Sequence, residues 1–418
     1  MKFIYFANTD WYLFNFRLTA ARQLRDLGHE VVLVSPPGAY VSSIESEGFR
    51  WVSLPMSRSG VNPFRELVTV VRLARILVAE RPDVLHNFTV KSAIYGGLAA
   101  RLCRISAVVQ AVAGMGYAFS ANSLKARLLR PLIRQLMRFA FAGRDFRLIL
   151  QNPDDVSTFL DEAIVPRGAI RLIKGSGVDT GRFFAPVRRD GQLTVVLCAR
   201  LLVEKGVPEF VEAARILRRQ QRDVRFVLIG GLDPGNPSAI SREQVDQWVA
   251  EDLVSWRGHV ADVIDILHQC HVMALPSFYR EGVPRSLIEG AAAGLAIITT
   301  NLPGCREVVT RDGEDGLWVR PRDALHLAQL ITRLDEDRAL LTKVAAAAQR
   351  RPFPEFDERW VTNRTIHVHR ARVPLSTCTG STVPARLTAP WRRPDASGPA
   401  HSAVRPRRSC QAGGCAGA

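Results

Sequence analysis

The stretch VMALPSFYREGVPRSLIEGAAAGLAIITT, residues 272–300, decides the fold of this chain. It begins with the apolar run Val272–Leu275 and closes with a second apolar run, Ala296–Thr299, and both have the length of a buried strand. Between them, Gly282 permits a sharp turn and Pro284 suits the first turn of a helix. The pattern predicts a strand, a loop, a helix and a second parallel strand, which is the repeating unit of a doubly wound sheet.

The same alternation extends along most of the chain in two series. Short apolar runs separated by amphipathic helices predict parallel sheets that are covered by helices on both faces. We therefore expect an α/β chain of two doubly wound, Rossmann-like domains that face each other across a cleft. The first series of predicted strands comprises Lys2–Ala7, Glu30–Val34, Arg50–Leu54, Asp83–His86 and Ser106–Ala113. The second series comprises Ile170–Ile173, Leu193–Ala199, Arg225–Ile229, Val254–Trp256, Val272–Leu275 and Ala296–Thr299.

Length and composition support two domains. A chain of 418 residues exceeds one ordinary core, and its 47% hydrophobic and 23% charged residues are typical of globular proteins. We predict a first domain over residues 1–168, a second over 169–350 and a returning helix within 351–370. Residues 371–418 lack periodicity and hold seven arginines against one acid, so we predict a disordered basic tail. Two interpretations of this tail stay open, one in which it binds an anionic partner and one in which it is not native.

Several features bear on the compartment. The apolar start is interrupted by Asn8, Thr9 and Asp10 before a signal sequence could form, and no apolar run approaches the roughly 20 residues of a membrane span. We therefore expect a cytoplasmic protein, with the inner face of the cytoplasmic membrane as a second location. Seven cysteines without a CxxC pair argue against a disulfide framework and a zinc site. The net charge of +16 fits several anionic partners and does not choose among them.

Charged residues cluster at two predicted strand-to-helix turns of the second series. Glu281 precedes the turn at Gly282, and Glu289 lies on the helix that follows. The free N–H groups at the start of that helix form a cradle for phosphate, and hydroxyl groups are the obvious partners of the two carboxylates. At the other turn, Arg200 and Lys205 follow a predicted strand, and both can contact a diphosphate.

These residues resemble the motifs of the family 4 glycosyltransferases. Glu281 and Glu289 match the family's E-x7-E motif, and Arg200 and Lys205 match its R-x4-K pair. The segment Gly175–Asp179 is similar to its interdomain G-x-G-V-D sequence. The resemblance implies a GT-B fold, retention of the anomeric configuration and a nucleotide-diphosphate sugar as donor, with uridine as the favoured base.

The resemblance also assigns a role to each matching residue. Glu281 would contact the donor sugar, and Arg200 and Lys205 would stabilise the leaving diphosphate, which makes these three the catalytic candidates. Glu289 would bind the ribose hydroxyls. The other donor-binding candidates lie on the same turn and on the interdomain segment: Gly282, Val283, Pro284, Arg285, Ser286, Leu287 and Gly177.

The sequence predicts no metal ion. Fixed cations and helix-end dipoles can stabilise a leaving diphosphate without one. Metal-dependent glycosyltransferases of the GT-A class use a D-x-D triplet, and the match in this chain, Asp335–Asp337, lies in a late amphipathic helix. We therefore expect no cofactor beyond the nucleotide-sugar substrate.

The first domain is expected to supply the acceptor site. The segment Asn8–Trp11 resembles the N-x-D-W opening of a subgroup, the polyprenyl-diphosphate-sugar transferases of polysaccharide assembly. For Arg17, the role of an ordinary surface arginine stays equally open. The candidate acceptor contacts are Asp10, Arg17, His86, Lys91, Gly114 and Gly116.

A basic amphipathic helix is predicted within residues 124–144. Arg127, Arg130, Arg134 and Arg138 recur at helical spacing, opposite a leucine-rich side. Such a helix can lie on an anionic membrane, although an apolar side buried within the domain explains the pattern equally well. Together with the subgroup resemblance, the pattern favours a lipid-linked acceptor, with another glycan as the alternative.

Other functions compete with this prediction. A GT-B nucleotide-sugar epimerase shares the fold but is disfavoured by the two matched motifs. A basic nucleic-acid-binding protein fits the charge, but much of that charge lies in 371–418, and no platform of aromatic and basic residues is evident. A dinucleotide-dependent oxidoreductase is disfavoured because no strand-linked G-x-G-x-x-G occurs. We therefore predict a hexosyltransferase-type enzyme that binds no nucleic acid.

Overall fold

The structure is a computed structural model, and it describes residues 1–57, 60, 62–114, 124–143, 145–188, 190–351 and 355–370. These residues belong to one compact unit, Met1–Arg372, which contains two parallel sheets. Gly116 and the predicted tail 371–418 lie outside the described residues.

The first sheet has seven parallel strands in the order β3-β2-β1-β4-β5-β6-β7. The order reverses between β1 and β4, and this is the place where an open α/β sheet forms a ligand crevice. The strands are β1 Lys2–Phe6, β2 Glu30–Ser35, β3 Arg50–Ser53, β4 Val84–Phe88, β5 Ala107–Val112, β6 Phe146–Leu150 and β7 Ile170–Leu172.

Among the described residues, six helices accompany this sheet. Asn62 and Asn152 each cap a helix by accepting hydrogen bonds from its first N–H groups, and a proline follows both caps, as is common at helix starts. No helix among the described residues combines the length and apolar character that a membrane span requires. The helices are α1 Asp10–Asp26, α2 Val41–Ser46, α3 Pro63–Glu80, α4 Val90–Leu102, α5 Leu124–Ala140 and α6 Pro153–Asp161.

The second sheet has six parallel strands in the order β10-β9-β8-β11-β12-β13. Its order reverses between β8 and β11, which places a second crevice at the end of β8. The strands are β8 Leu193–Cys198, β9 Val224–Ile229, β10 Ser255–Trp256, β11 Val272–Leu275, β12 Ala296–Thr300 and β13 Leu317–Val319.

In the part of the chain that the structure describes, nine further helices follow the first sheet, and the last of them returns to the first domain. Val361, Ile366 and Val368 of this last helix pack in one buried cluster with Phe3 and Leu13. Short 3-10 turns lie at Arg167–Ala169 and Val203–Lys205. The helices are α7 Thr180–Phe183, α8 Val207–Arg219, α9 Arg242–Ala250, α10 Ile264–Leu267, α11 Arg285–Ala292, α12 Cys305–Val308, α13 Ala324–Glu336, α14 Arg338–Arg350 and α15 Glu358–Arg370.

The prediction of two doubly wound domains is confirmed, with one correction at their junction. The segment Ile170–Ile173 was expected to open the second series, but β7 pairs with β6, Leu148 opposite Ile170, at the edge of the first sheet. The first sheet therefore extends past the predicted boundary at residue 168. The strands β6 and β13 were missing from the prediction.

Candidate active site

The turn between β11 and α11 is shaped by glycines that touch backbone. A side chain at Gly304, which has a φ of +83°, would lie 1.5 Å from the carbonyl oxygen of Gly282. A side chain at Gly114, in the first domain, would lie 2.9 Å from the backbone nitrogen of Gly282. The turn is therefore packed between the two domains, and only glycine permits contacts this close.

Lys205 and Glu281 meet at this turn. They are 76 residues apart in the chain, yet the Lys205 ammonium forms a short ion pair with the Glu281 carboxylate. Their side chains are 15% and 12% exposed, so the pair lies at the border between the interior and solvent. Gly206, with a φ of +76°, ends the 3-10 turn that carries Lys205 and packs against the backbone of Pro276. The structure thus joins the two turns that the sequence had singled out separately.

Ser277 adds a further contact to the Glu281 carboxylate. Its hydroxyl oxygen lies 2.9 Å from Glu281 Oε1 and 3.1 Å from the carbonyl oxygen of Glu204. The residue is completely buried at the end of β11. Ser277 was not among the predicted residues, although a small polar residue two positions after a buried strand was a usable signal.

Arg200 has a different partner from Lys205. It lies at the end of β8, and its guanidinium binds Asp233 at 2.6 Å, beyond the end of the neighbouring strand β9. The Arg200 side chain is 44% exposed. Arg200 therefore forms its described ion pair with a residue outside the Glu281–Glu289 segment. Asp233 is a second residue that was not predicted from the sequence.

The remaining residues of the Glu281–Glu289 segment either form polar contacts or are buried in the core. Glu289 forms an ion pair with Arg285 at 2.7 Å, and Arg285 also donates to the carbonyl oxygen of Asn15 in the first domain. The negative charge of Glu289 adds to burial in raising the pKa of Cys198, at the end of β8, to about 12. Leu287, in contrast, is fully buried in the core, so its side chain cannot reach a donor.

The start of α11 is available to an anion. Pro284 occupies the cap position, and no side chain caps the first turn, which contains Ser286. Uncapped N–H groups at the start of a helix carry partial positive charge. The structure therefore places partial positive charge at the start of α11, directly after the turn that carries Glu281, and phosphate binding there stays a prediction.

Gly177 packs against the segment that leads into α15. A side chain on it would be 2.5 Å from the Cα of Glu358, and the neighbouring Val178 N–H donates to the carbonyl oxygen of Phe356. The described contacts of Gly177 are thus with the segment that leads into α15. The donor-binding role given to Gly177 has no contact to support it.

Two of the first-domain candidates are engaged within the fold. Asp10 is 7% exposed, and its carboxylate accepts hydrogen bonds from the backbone N–H groups of Trp11 and Tyr40, at 2.8 and 2.7 Å. Arg17 is 6% exposed, and its guanidinium stacks over Phe88 at 4.5 Å. Asp10 therefore positions the loop before α2, and Arg17 is not an ordinary surface arginine.

His86 is a correction to the prediction, and Lys91 is bonded to neighbouring parts of the first domain. His86 is fully buried because β4 continues to Phe88, and its Nδ1 lies 3.0 Å from Nε2 of His369. Lys91 forms an ion pair with Glu66 at 2.9 Å and donates to two backbone carbonyl groups. The buried His86 side chain is therefore not placed to contact an acceptor, and the acceptor role of Lys91 stays a prediction.

The D-x-D match is explained by helix packing. Asp335 pairs with Arg338, Glu336 pairs with Arg222, and Asp337 caps α14. In the part of the chain that the structure describes, no three His, Cys, Asp or Glu residues are grouped as a metal ion requires. The absence of a metal from the reaction remains a prediction.

Comparison with known proteins supports the family and the fold. Two family models match the chain, "Glycosyl transferase 4-like" over residues 2–152 and "Glycosyl transferases group 1" over residues 192–337. The chain is 29% identical over 370 residues to the N,N'-diacetylbacillosaminyl-diphospho-undecaprenol alpha-1,3-N-acetylgalactosaminyltransferase of Campylobacter jejuni, which covers 85% of this chain and 95% of that relative. It is 25% identical over 327 residues to the UDP-Gal:alpha-D-GlcNAc-diphosphoundecaprenol alpha-1,3-galactosyltransferase of Escherichia coli, covering 74% and 81% of the two chains. The solved structure of Anabaena Alr3699/HepE in complex with UDP-glucose shares the fold, with a TM-score of 0.69, 17% identity and coverage of 89% of this chain and 100% of that chain.

Proposed function

The chain belongs to the family 4 glycosyltransferases and has their GT-B fold, and from this premise we propose that it transfers a sugar from a UDP-sugar to a lipid-linked diphosphate acceptor. The transfer retains the anomeric configuration and takes place at the cytoplasmic face of the membrane. The acceptor class is supported by the two relatives, whose names state diphospho-undecaprenol substrates. The observation that carries the proposal is the contact between Lys205 and Glu281 beside the uncapped start of α11.

The chemistry follows from the charges at this contact. Cleavage of the bond between the sugar and the diphosphate leaves negative charge on the leaving oxygen. The Lys205 ammonium and the N–H groups of the first turn of α11 stabilise that charge without rearrangement, which is the basis of electrostatic catalysis. Glu281 accepts hydrogen bonds from hydroxyl groups of the donor sugar and thereby orients the anomeric carbon. Glu289 binds the ribose hydroxyls.

Exposed apolar side chains on the first domain support docking on a membrane. Nine large apolar residues of α3, the end of α4 and α5 are exposed, and a concentration of exposed apolar side chains on neighbouring helices is typical of a surface that contacts a membrane or a partner. Arg65, Arg72 and Arg75 are exposed on α3 and suit anionic headgroups. The nine residues are Phe64, Leu67, Val68, Val71, Val78, Leu102, Leu132, Leu136 and Phe139.

This surface differs from the one that the sequence predicted. Within α5, Arg134 pairs with Glu162, and Arg138 donates to the carbonyl groups of Glu162 and Ala163. These two arginines therefore bind the protein, while Leu132 and Phe139 of the same helix are exposed. In the proposed mode, the apolar side of α5 and the face of α3 enter the bilayer surface together.

The test of the activity is a panel of nucleotide sugars incubated with lipid-linked acceptors extracted from membranes. We expect transfer from a UDP-sugar to a lipid-extractable product, and no loss of rate with a chelator. Transfer from GDP-sugars alone, or isomerised free sugar without a transferred product, would contradict the proposed donor or reaction. A rate abolished by the chelator would show that the reaction needs a metal.

Membrane docking has a separate test. Phe64→Ser combined with Leu67→Ser should weaken binding to phosphatidylglycerol vesicles by about 100-fold or more, measured by cosedimentation, because each change removes roughly 1.5–3 kcal/mol of apolar burial. The matched control is Leu325→Ser, which alters an exposed apolar residue of the second domain. Equal vesicle binding by both variants would exclude α3 as the docking element.

A further inference from the structure

Gln151 reaches from the first domain onto the turn that carries Glu281. It follows β6 directly and is 7% exposed. Its side-chain oxygen Oε1 accepts a hydrogen bond from the backbone N–H of Val283 at 3.1 Å. The same oxygen would lie 2.2 Å from a side chain at Gly282, so this approach depends on the glycine.

Other first-domain residues hold the same turn without using an N–H group of it. Asn152 donates from its side-chain amide to the carbonyl oxygen of Glu281 at 3.3 Å. The guanidinium of Arg280 lies 3.4 Å from Asp155 and 3.2 Å from Thr158, both on α6. Gln151 is therefore distinct among these contacts, because it accepts from the backbone N–H of Val283 where the others bind a carbonyl group or a side chain.

The Val283 N–H is chemically valuable to a donor. It follows Glu281 by two residues, and the next residue, Pro284, has no N–H to offer. The hydrogen of a backbone N–H makes one strong hydrogen bond, so it cannot serve Gln151 and a donor oxygen at full strength together. The Gln151 amide oxygen thus occupies, in this structure, a position that suits an oxygen of the donor.

We propose that Gln151 sets the affinity for the nucleotide-sugar donor by competing with it for the Val283 N–H. The inference rests on the proposed function, since it requires the donor to bind beside Glu281. Donor binding displaces the Gln151 side chain and so releases one contact between the two domains. A variant that lacks this contact should have a lower KM for the donor and an unchanged kcat, because Gln151 binds the Val283 N–H only in the empty enzyme.

Three substitutions of Gln151 in the full-length chain test the competition, with binding of UDP measured by calorimetry. In Gln151→Ala and Gln151→Asn the shorter side chain no longer brings an oxygen to the Val283 N–H. Both variants should bind UDP about 2- to 10-fold more tightly, which corresponds to one neutral hydrogen bond. Gln151→Glu keeps the acceptor but adds a charge that repels the diphosphate, so UDP binding should weaken by about 10-fold or more. In the transfer assay, Gln151→Ala should lower KM for the donor with kcat within about 2-fold of wild type.

The matched control is Asp154→Asn. It removes the ion pair between Asp154 and Arg306 at 2.7 Å, a contact between the same domains that involves no N–H group of the Glu281 turn. UDP affinity of this variant should equal that of wild type, and thermal unfolding confirms that all variants are folded.

The outcomes distinguish failure of this inference from failure of the proposed function. Weaker UDP binding by Gln151→Ala would show that Gln151 is itself a ligand of the donor, and unchanged binding in all three variants would show that no competition exists. Either result overturns this inference alone. A wild-type chain that binds no UDP would overturn the proposed donor class and this inference together.

Discussion

The two sides of the cleft use their polar residues in different ways. On the second-domain side, Lys205 and Glu281 lie in loops beyond their strands and meet at the border with solvent. On the first-domain side, His86 lies inside β4 and Asp10 begins α1, and both are bonded to neighbouring parts of the fold. The contrast between His86 and Glu281 teaches that a polar residue can face a site only once the backbone has left the sheet, and Asp10, which lies beyond β1, shows that leaving the sheet is not sufficient.

The largest expected effect tests the second-domain side. Lys205→Ala should lower kcat by about 10²- to 10³-fold, because it removes a preorganised cation from the leaving diphosphate. Arg200→Ala should cost less, about 10-fold, because that guanidinium is 44% exposed and solvent screens its charge. Initial rates of sugar transfer at saturating donor measure both effects.

The control for these two variants is Lys343→Ala, since Lys343 is an exposed lysine on α14. It should transfer sugar at the wild-type rate. A wild-type kcat in Lys205→Ala would contradict the proposed role of Lys205 in stabilising the leaving diphosphate. It would also contradict the contrast between the two sides of the cleft.

The sequence analysis succeeded where glycine and proline fixed the backbone. The turn at Gly282 and Pro284 was predicted correctly, and Glu281 and Lys205 were both predicted as catalytic candidates, but the sequence did not predict that they contact each other. The prediction erred at His86 because the strand was ended there, two residues before its true end at Phe88. An error of two residues moves a side chain from the rim of a sheet into its interior. Such an error is easily made, because nothing in the local pattern marks the last residue of a buried strand.

Contacts between distant segments were beyond the reach of sequence patterns. Gln151 meets Val283 across 132 residues, and Arg285 reaches the backbone of Asn15 across 270. Such pairs depend on how the two domains are placed against each other. Periodicity predicts each domain separately and holds no information on that placement.

A second prediction tests the first-domain side through stability. Burial, followed by the charge of His29, lowers the pKa of His369 to about 3. Burial, His369 and Arg17 hold the pKa of His86 well below its usual value. Because both pKa values are depressed relative to the unfolded chain, the unfolded state binds more protons below about pH 6.5, and stability falls as the pH falls through that value towards 3. At pH 5, His369 alone should cost about 2 kcal/mol.

Urea unfolding between pH 5 and pH 7 measures this dependence. His369→Phe should flatten it, while His367→Phe, on the exposed side of α15, should leave it unchanged. Sugar transfer at pH 7 by the folded His369→Phe variant should keep its KM for the acceptor. A rise in that KM by about 10-fold would place the histidine pair in the acceptor site and break the contrast drawn above.

The smallest expected effect concerns Ser277, which separates support of Glu281 from support of the fold. The Ser277 hydroxyl has one hydrogen and two acceptors within reach, Glu281 Oε1 and the carbonyl oxygen of Glu204, so it stabilises the carboxylate only part of the time. Ser277→Ala should therefore lower kcat by about 10-fold, equivalent to about 1.4 kcal/mol, near the lower end of the worth of a hydrogen bond to a charged group.

Thr300→Val is the matched change, because Thr300 Oγ1 donates to the backbone carbonyl of Ser277 at 2.6 Å and Thr300 is equally buried. It should lower the midpoint of thermal unfolding while kcat stays within about 2-fold of wild type. Equal loss of kcat in both variants would mean that packing beneath the turn, and not the Ser277 hydroxyl, holds Glu281 in place.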